Sequence, residues 1–204
     1  MGKNVVVIAS GETERRSLPH LVAHLQVEDT TVVEVRIPPG GAALNVDMAA
    51  RLVKASWFDK IAHPPDKFVI LVDTDGKAPD EVLRPFQENL LTRIRPTINA
   101  QVQCACAVWH LEAWYFADDS GLREYLKRDL GSIDTSRPDG IQNPKLHLKH
   151  LLGERAYTAV ISEEIAQRLD AQTIAQRSPS FRGFLEAARN GGFTPHNQQE
   201  ERAS

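Results

Sequence analysis

The strongest constraint on this chain is the way short apolar runs alternate with helix-patterned segments through its first half. Val5–Ala9 is an unbroken apolar run, as a strand covered on both faces requires. Thr13–Gln26 follows, with Leu18, Leu21, Val22 and Leu25 at helical spacing, and Pro19 places the start of regular helix near Ser17 or distorts the first turn. Thr31–Ile37 alternates as a second strand and stops at Pro38-Pro39-Gly40-Gly41. Asn45–Asp59 reads as a helix with Met48, Leu52, Val53 and Phe58 inward. Lys67–Val72 is a third strand, Pro79–Ile94 a helix interrupted at Pro85, and Gln101–Val108 a fourth strand running into His110–Asp118. Strand–helix alternation of this kind specifies an α/β layer with a mostly parallel sheet and right-handed crossovers.

After Asp119 the texture changes to short helices and polar turns. Helices are expected over Gly121–Leu130 behind a Ser120 cap, over Pro144–Leu152, over Ser162–Leu169 behind a Ser162 cap, and over Phe181–Arg189, with a loop over Gly131–Asn143. Residues 1–119 are therefore read as an α/β core, 120–192 as a helical C-terminal extension packed on it, and 193–204 as a disordered tail. A chain of 204 residues can bury such a core without disulfides or metal staples.

Charge and composition exclude several classes. With 24 Lys+Arg against 27 Asp+Glu, the formal charge is −3, which excludes a strongly basic, histone-like binder of nucleic acid but not a local basic face. Residues 1–119 hold 12 basic and 16 acidic residues; residues 120–190 hold 11 and 9. No apolar run approaches membrane-spanning length. Five apolar residues behind Met1–Asn4 are too few for a secretion signal, so the expected location is cytoplasmic. Cys104 and Cys106 share one face of the fourth strand and read as core packing. His20 and His24, four apart on one helix face, have no accompanying Glu of a zinc-protease motif and read as a partly exposed face. Walker-type, dinucleotide-binding and Gly-x-Ser-x-Gly motifs are all missing.

The acidic residues carry the functional signal. In an open parallel sheet, ligands bind beyond the carboxyl ends of the strands. Strand one ends in Ser10-Gly11-Glu12-Thr13-Glu14, strand three in Asp73-Thr74-Asp75-Gly76, and strand four in Trp109-His110-Leu111-Glu112-Ala113-Trp114. Carboxylates converging on one rim repel, and a divalent cation relieves that repulsion; Mg²⁺ needs only one or two of them beside water and substrate phosphate. In extended geometry Asp73 and Asp75 would face the same way and share an ion. Each cluster alone also reads as a turn or as the acidic first turn of a helix.

With these motifs placed, the sequence resembles the domain-of-unknown-function 4276 family of toprim-like bacterial proteins, from Val5 to about Ala187. His110-Leu111-Glu112-Ala113-Trp114-Tyr115-Phe116-Ala117-Asp118 is similar to the family's Glu-Ala-Trp segment, and Phe68–Gly76 to its Asp-x-Asp-Gly strand end. Asn143-Pro144-Lys145 and Arg177-Ser178-Pro179-Ser180-Phe181 resemble its two C-terminal signatures. The resemblance implies a toprim-like fold related to nucleases of the overcoming-lysogenization-defect class, Mg²⁺- or Mn²⁺-dependent phosphodiester chemistry, and an ABC-type ATPase partner in a bacterial defence-type setting. It implies Asp73, Asp75 and Glu112 as metal ligands, with Glu14 or Glu12 and Glu112 in catalysis. Lys145, Lys149 and Arg155 are candidates for substrate phosphate, in a segment that also reads as a solvated helix face. One departure stands out: Ser10 occupies the position of the first toprim Glu, and serine is a poor ligand or base.

Two rivals stay open. One is a toprim-like interaction module whose metal site has decayed, binding its ATPase partner through Trp114-Tyr115-Phe116 and the C-terminal helices. The other is a small-molecule phosphatase or phosphotransferase. Asp73-Thr74-Asp75 resembles the nucleophile loop of haloacid-dehalogenase-type phosphatases, but those carry it after the first strand and here it follows the third.

Overall fold

A computed structural model describes residues 3–95 and 97–189. Four strands, β1 (Lys3–Ile8), β2 (Thr30–Arg36), β3 (Lys67–Asp73) and β4 (Gln101–Ala107), form one all-parallel sheet in the order β2-β1-β3-β4. The apolar runs explain the central pair: alternate residues of β1 and β3 face opposite layers, and both layers are covered. Val5, Val7, Val69 and Leu71 enter one core, while Val6, Ile8, Phe68 and Ile70 enter the other. β2 lies at an edge, and most of it is half-buried. At the other edge, the outward Cys104 N–H of β4 is capped by the Gln87 side chain at 3.2 Å.

Each parallel step needs a crossover, and three helices supply them: α1 (Glu12–Leu21), α2 (Val46–Asp59) and α3 (Pro79–Ile94). α2 and α3 cover one face through Ala49, Ala50, Val53, Leu90 and Ile94. α1 covers the other, together with the later helices α4 (Glu112–Ala117), α5 (Asp119–Leu126), α6 (Pro144–Leu152), α7 (Ala159–Ala166), α8 (Ala171–Arg177) and α9 (Pro179–Ala188). α7 packs on α1, and α9 on β3 and β4. Trp114 is fully buried against Phe181 and Phe184, with ring centroids 4.9 and 5.5 Å away. Its indole N–H donates to Ser180 Oγ at 2.7 Å, and Asp139 accepts from the Ser178 and Ser180 hydroxyls. The Ser178–Phe181 signature is thus the capped start of α9. Among the described residues no helix is long and apolar enough to cross a membrane.

Several local expectations are corrected. α1 begins at Glu12, not near Ser17, and Pro19 lies inside it; Pro19 is exposed, where water can solvate the carbonyl that loses its donor. α3 runs unbroken through exposed Pro85 for the same reason. The inner face of α2 is Ala49, Ala50, Val53 and Ser56, and Phe58 is half exposed. Thr158, not Ser162, caps α7, and Asp118, not Ser120, caps α5. α8 was not expected at all. The expected tail, 193–204, lies outside the described residues.

Candidate metal and phosphate site

Strand order reverses direction between β1 and β3, and the crevice beyond their carboxyl ends is where this architecture binds ligands. Asp73 closes β3 at that point, and Ser10 follows β1. The Ser10 hydroxyl donates to Asp73 Oδ2 at 3.4 Å. Glu14 in the first turn of α1 and Glu112 at the start of α4 are both buried, at 6% and 1% exposure. Their positions put carboxylates at helix N-termini, where the backbone dipoles favour them.

These groups lie near enough for each charge to act on the others. Burial, then the charges of Glu14, Glu112 and Asp75, push the Asp73 carboxyl up to about 8, with Lys145 opposing. Burial also raises Glu14, with Glu112 adding to the rise; its backbone hydrogen bond, Lys145 and the Ser10 hydroxyl oppose it. Lys145, in the first turn of α6, reaches Glu112 Oε1 at 3.8 Å and lies 5.9 Å from the centre of the Tyr157 ring. Tyr157 donates its hydroxyl to Glu112 Oε1 at 2.8 Å. Burial drives the Tyr157 and Tyr115 phenols far above their usual range, so both stay protonated donors. The Tyr115 hydroxyl shares a hydrogen bond with Ser162 Oγ (2.5 Å), which in turn meets Ser17 Oγ at 2.8 Å.

The Asp73–Gly76 turn is held from above by Trp109. Gly76 has φ +80, and a Cβ there would lie 2.5 Å from the Trp109 ring, so glycine is required twice over. Asp75 also takes a left-handed backbone, φ 50, which corrects the expectation of an extended Asp-x-Asp. Its side chain is 75% exposed, 3.6 Å from His110 Nε2. Thr74 Oγ1 and His110 Nδ1 are buried without a partner among the described residues.

The candidate residues therefore fall into groups. Asp73, Glu14, Glu112 and Lys145 interact, and Asp75 stands at the rim with its charge felt by Asp73. Glu12 is exposed and gripped by Arg15 at 2.7 and 2.9 Å. Lys149 is exposed one turn along α6. Arg155 pairs with Glu164 at 2.7 Å and covers the Tyr125 ring, beyond the end of α6. His20 faces Glu163 at 3.4 Å. Cys104 and Cys106 pack among the second core, where burial pushes their thiols up to about 12 and about 11. Sequence reasoning missed Tyr157 and the constructive part of Ser10; the only available signal was that a buried Glu112 needs a donor.

Among the described residues no three His, Cys, Asp or Glu side chains form a ready cage for a metal ion. An open arrangement is nonetheless what Mg²⁺ accepts, because it keeps most of its water and needs only one or two carboxylates. Repelling carboxylates and the orphaned Thr74 hydroxyl make an all-oxygen donor set that fits a hard cation.

A family model described as a domain of unknown function, DUF4276, matches residues 11–188. Among solved structures the chain is similar to the C-terminal region of the Xanthomonas campestris pv. campestris OLD protein, with 16% identity and a TM-score of 0.51, over 90% of this chain and 93% of that one. It is also similar to the C-terminal region of the Burkholderia pseudomallei OLD protein, with 17% identity and a TM-score of 0.46, over 93% and 98%. No curated protein matches in sequence. At such identity the first likeness is one of fold.

Proposed function

The chain belongs to the DUF4276 family, and from that membership we propose a metal-dependent phosphodiesterase of the nuclease type. One observation carries the reading: Asp73, Glu14 and Glu112 lie beyond the carboxyl ends of the strands around the β1/β3 switch point, the two glutamates buried, with Lys145 3.8 Å from Glu112. Asp73, Asp75 and Glu112 would hold Mg²⁺ or Mn²⁺. When bound, such an ion polarises a phosphate oxygen and lowers the pKa of an attacking water. Glu14, whose carboxyl burial raises from its ordinary value, would be the general base that takes the water's proton. Lys145 would meet the phosphate, with Lys149 one turn behind. Tyr157 keeps Glu112 aimed. Glu12 is paired with Arg15, and Arg155 is paired with Glu164 beyond the end of α6.

The division of the chain follows the same logic: residues 1–119 supply the acidic rim, and 120–192 supply the lysines that face phosphate. The fold likeness is to a C-terminal region, which supports a module acting beside another one. We take that companion to be an ABC-type ATPase in a cytoplasmic, defence-type system, on the family resemblance.

The test is cleavage of plasmid and single-stranded DNA with Mn²⁺, beside the Asp73→Ala, Asp75→Ala variant. The wild type should cut, and the variant should lose more than about 100-fold, beyond what even outer partners of a metal command. Equal activity in the two overturns the reading. Ser10 and the lack of a preformed cage among the described residues favour one alternative, a module with a decayed site that binds its ATPase partner. Mn²⁺ calorimetry separates them: measurable affinity supports the enzyme, and silence supports the module.

A further inference from the structure

At the far end of α6 from the acid rim lies a cleft of about 610 Å³, whose wall carries Lys127, Arg128 and Arg155 against one carboxylate, Glu154. All four are exposed. Arg128 donates to the Leu151 carbonyl at the last turn of α6, a capping contact that accounts for this residue's placement. Capping does not account for Arg155, nor for the side chain of Lys127. Arg155 lies over the Tyr125 ring, 5.3 Å from its centre, while Glu164 accepts from both Arg155 and the Tyr125 hydroxyl at 2.7 Å. The guanidinium is thereby fixed as a flat, charged plate, the form in which arginine both pairs with phosphate and stacks on a base. Lys127 is the left-handed C-cap of α5, φ 54, its N–H donating to the Arg123 carbonyl, and it stands at the cleft wall.

The placement of α6 links this cleft to the rim. Lys145 in its first turn touches Glu112, Lys149 is exposed one turn on, and Leu152 and Gly153 line the cleft. From Lys145 to Gly153 the helix rises about 12 Å at 1.5 Å per residue. A nucleic-acid strand held in stacked, duplex-like geometry, at about 3.4 Å per nucleotide along its axis, covers that distance in roughly three to four nucleotides.

We propose that the cleft is a second phosphate subsite, gripping the backbone of a nucleic-acid strand three to four nucleotides from the reacting diester, with Lys149 between. The assignment rests on the acid rim being the reacting centre. Lys127 and Arg155 supply the charge, that of Arg155 shared with Glu164, and Glu154 keeps the cleft from being a purely cationic surface.

The experiment measures binding of 5′-fluorescein single-stranded DNA of 2, 4, 8 and 12 nucleotides by anisotropy. It uses the full chain carrying Asp73→Asn, so that a held strand is not cut. Affinity should rise at least about tenfold between 4 and 8 nucleotides. Adding Lys127→Glu and Arg155→Gln should flatten that rise to within about twofold and lower the salt slope by about 1.4, two contacts at about 0.7 each. An unchanged length dependence and salt slope overturn the subsite. Should the double variant fail to fold, Lys149→Glu alone decides, with a loss of at least about threefold for the 8-mer expected and none overturning the proposal. The acid rim is judged separately, on a dinucleotide too short to reach the cleft. Equal cleavage of it by wild type and Asp73→Asn overturns the rim's role, and with it the distance assigned to the subsite.

Discussion

The two ends of β3 carry opposite charges in opposite circumstances. At the entry, Lys67 is fully buried, and its ammonium donates to the Ala187 and Arg189 carbonyls at 2.8 and 2.7 Å and to Gln103 Oε1 at 3.2 Å. Three donors meet three acceptors. Two of those acceptors are carbonyls at the end of α9, where orphan C=O groups and the helix dipole both favour a cation. At the exit, Asp73 receives one long hydrogen bond, from Ser10, and faces three other carboxylates. Burial lowers Lys67 to about 8, and burial with like charge raises Asp73 to about 8. A buried charge with a full partner set fastens an element in place, here α9 to the sheet. One left among like charges marks a place built for something else.

Asp73→Asn breaks the comparison hardest. Beside the loss of hydrolysis expected at this rim, the substitution should stabilise the protein at alkaline pH. The folded carboxyl titrates near 8 against an ordinary 3.8, so its contribution is full below about pH 4 and is lost as pH rises through 8. Four pH units correspond to roughly 5 kcal/mol. The partial exposure of Asp73 reduces that to about 2 kcal/mol. Urea melts of wild type should fall between pH 5 and pH 8.5, and those of Asp73→Asn should fall less. Identical pH profiles would show that Asp73 is not strained by its neighbours.

Lys67→Met tests the other end. It leaves the Ala187 and Arg189 carbonyls and Gln103 without their shared donor while removing a desolvated charge, for a net loss of about 2 kcal/mol. The sign with pH is the reverse of the first case. A lysine whose folded pKa lies near 8 is penalised below that value and relieved as pH climbs toward 10.5. Wild-type stability should gain over that window, and Lys67→Met should not. Hydrogen exchange over α9 should speed up first in the variant. Protection of α9 equal to wild type would mean that its apolar face, through Phe181 and Phe184, suffices.

The same contrast explains what could be read from the amino acids. All four strands were legible because buried parallel strands are written as apolar runs, and the acids at their ends were legible because the runs stop there. Pro79 and Pro144, each at the first position of a helix, marked α3 and α6 to the residue. Pro19 and Pro85 misled because a proline on an exposed helix face costs its helix less than a local rule assumes. α8 was hidden by having one buried apolar residue, Ile174, and only the Asp170 cap announced it. Glu12 and Glu14 could not be separated without the helix start. Once α1 begins at Glu12 they lie about 200° apart around it, so one faces the rim and the other Arg15. Tyr157 was illegible because it sits in a polar turn 45 residues from the Glu112 it serves.

Tyr157→Phe is the smallest and sharpest test. Tyr157 is to Glu112 what the α9 carbonyls are to Lys67, a fixed partner for a buried charge, except that this charge also faces the rim. Loss of the hydroxyl removes a charge-assisted hydrogen bond and leaves Lys145, at 3.8 Å and half exposed, as the remaining partner. Because Lys145 can move closer, the stability loss should be about 1 kcal/mol, below that of Lys67→Met. The effect on Mn²⁺ should be larger, a fall of about tenfold in calorimetric affinity, since an outer partner that aims a ligand typically commands 10- to 100-fold. A purely structural tyrosine would lower stability and leave Mn²⁺ affinity alone, and that outcome would move Glu112 from the rim's chemistry to the core. Loss of affinity with the fold nearly intact would place Glu112 between the two ends of β3, anchored as Lys67 is and exposed to a ligand as Asp73 is.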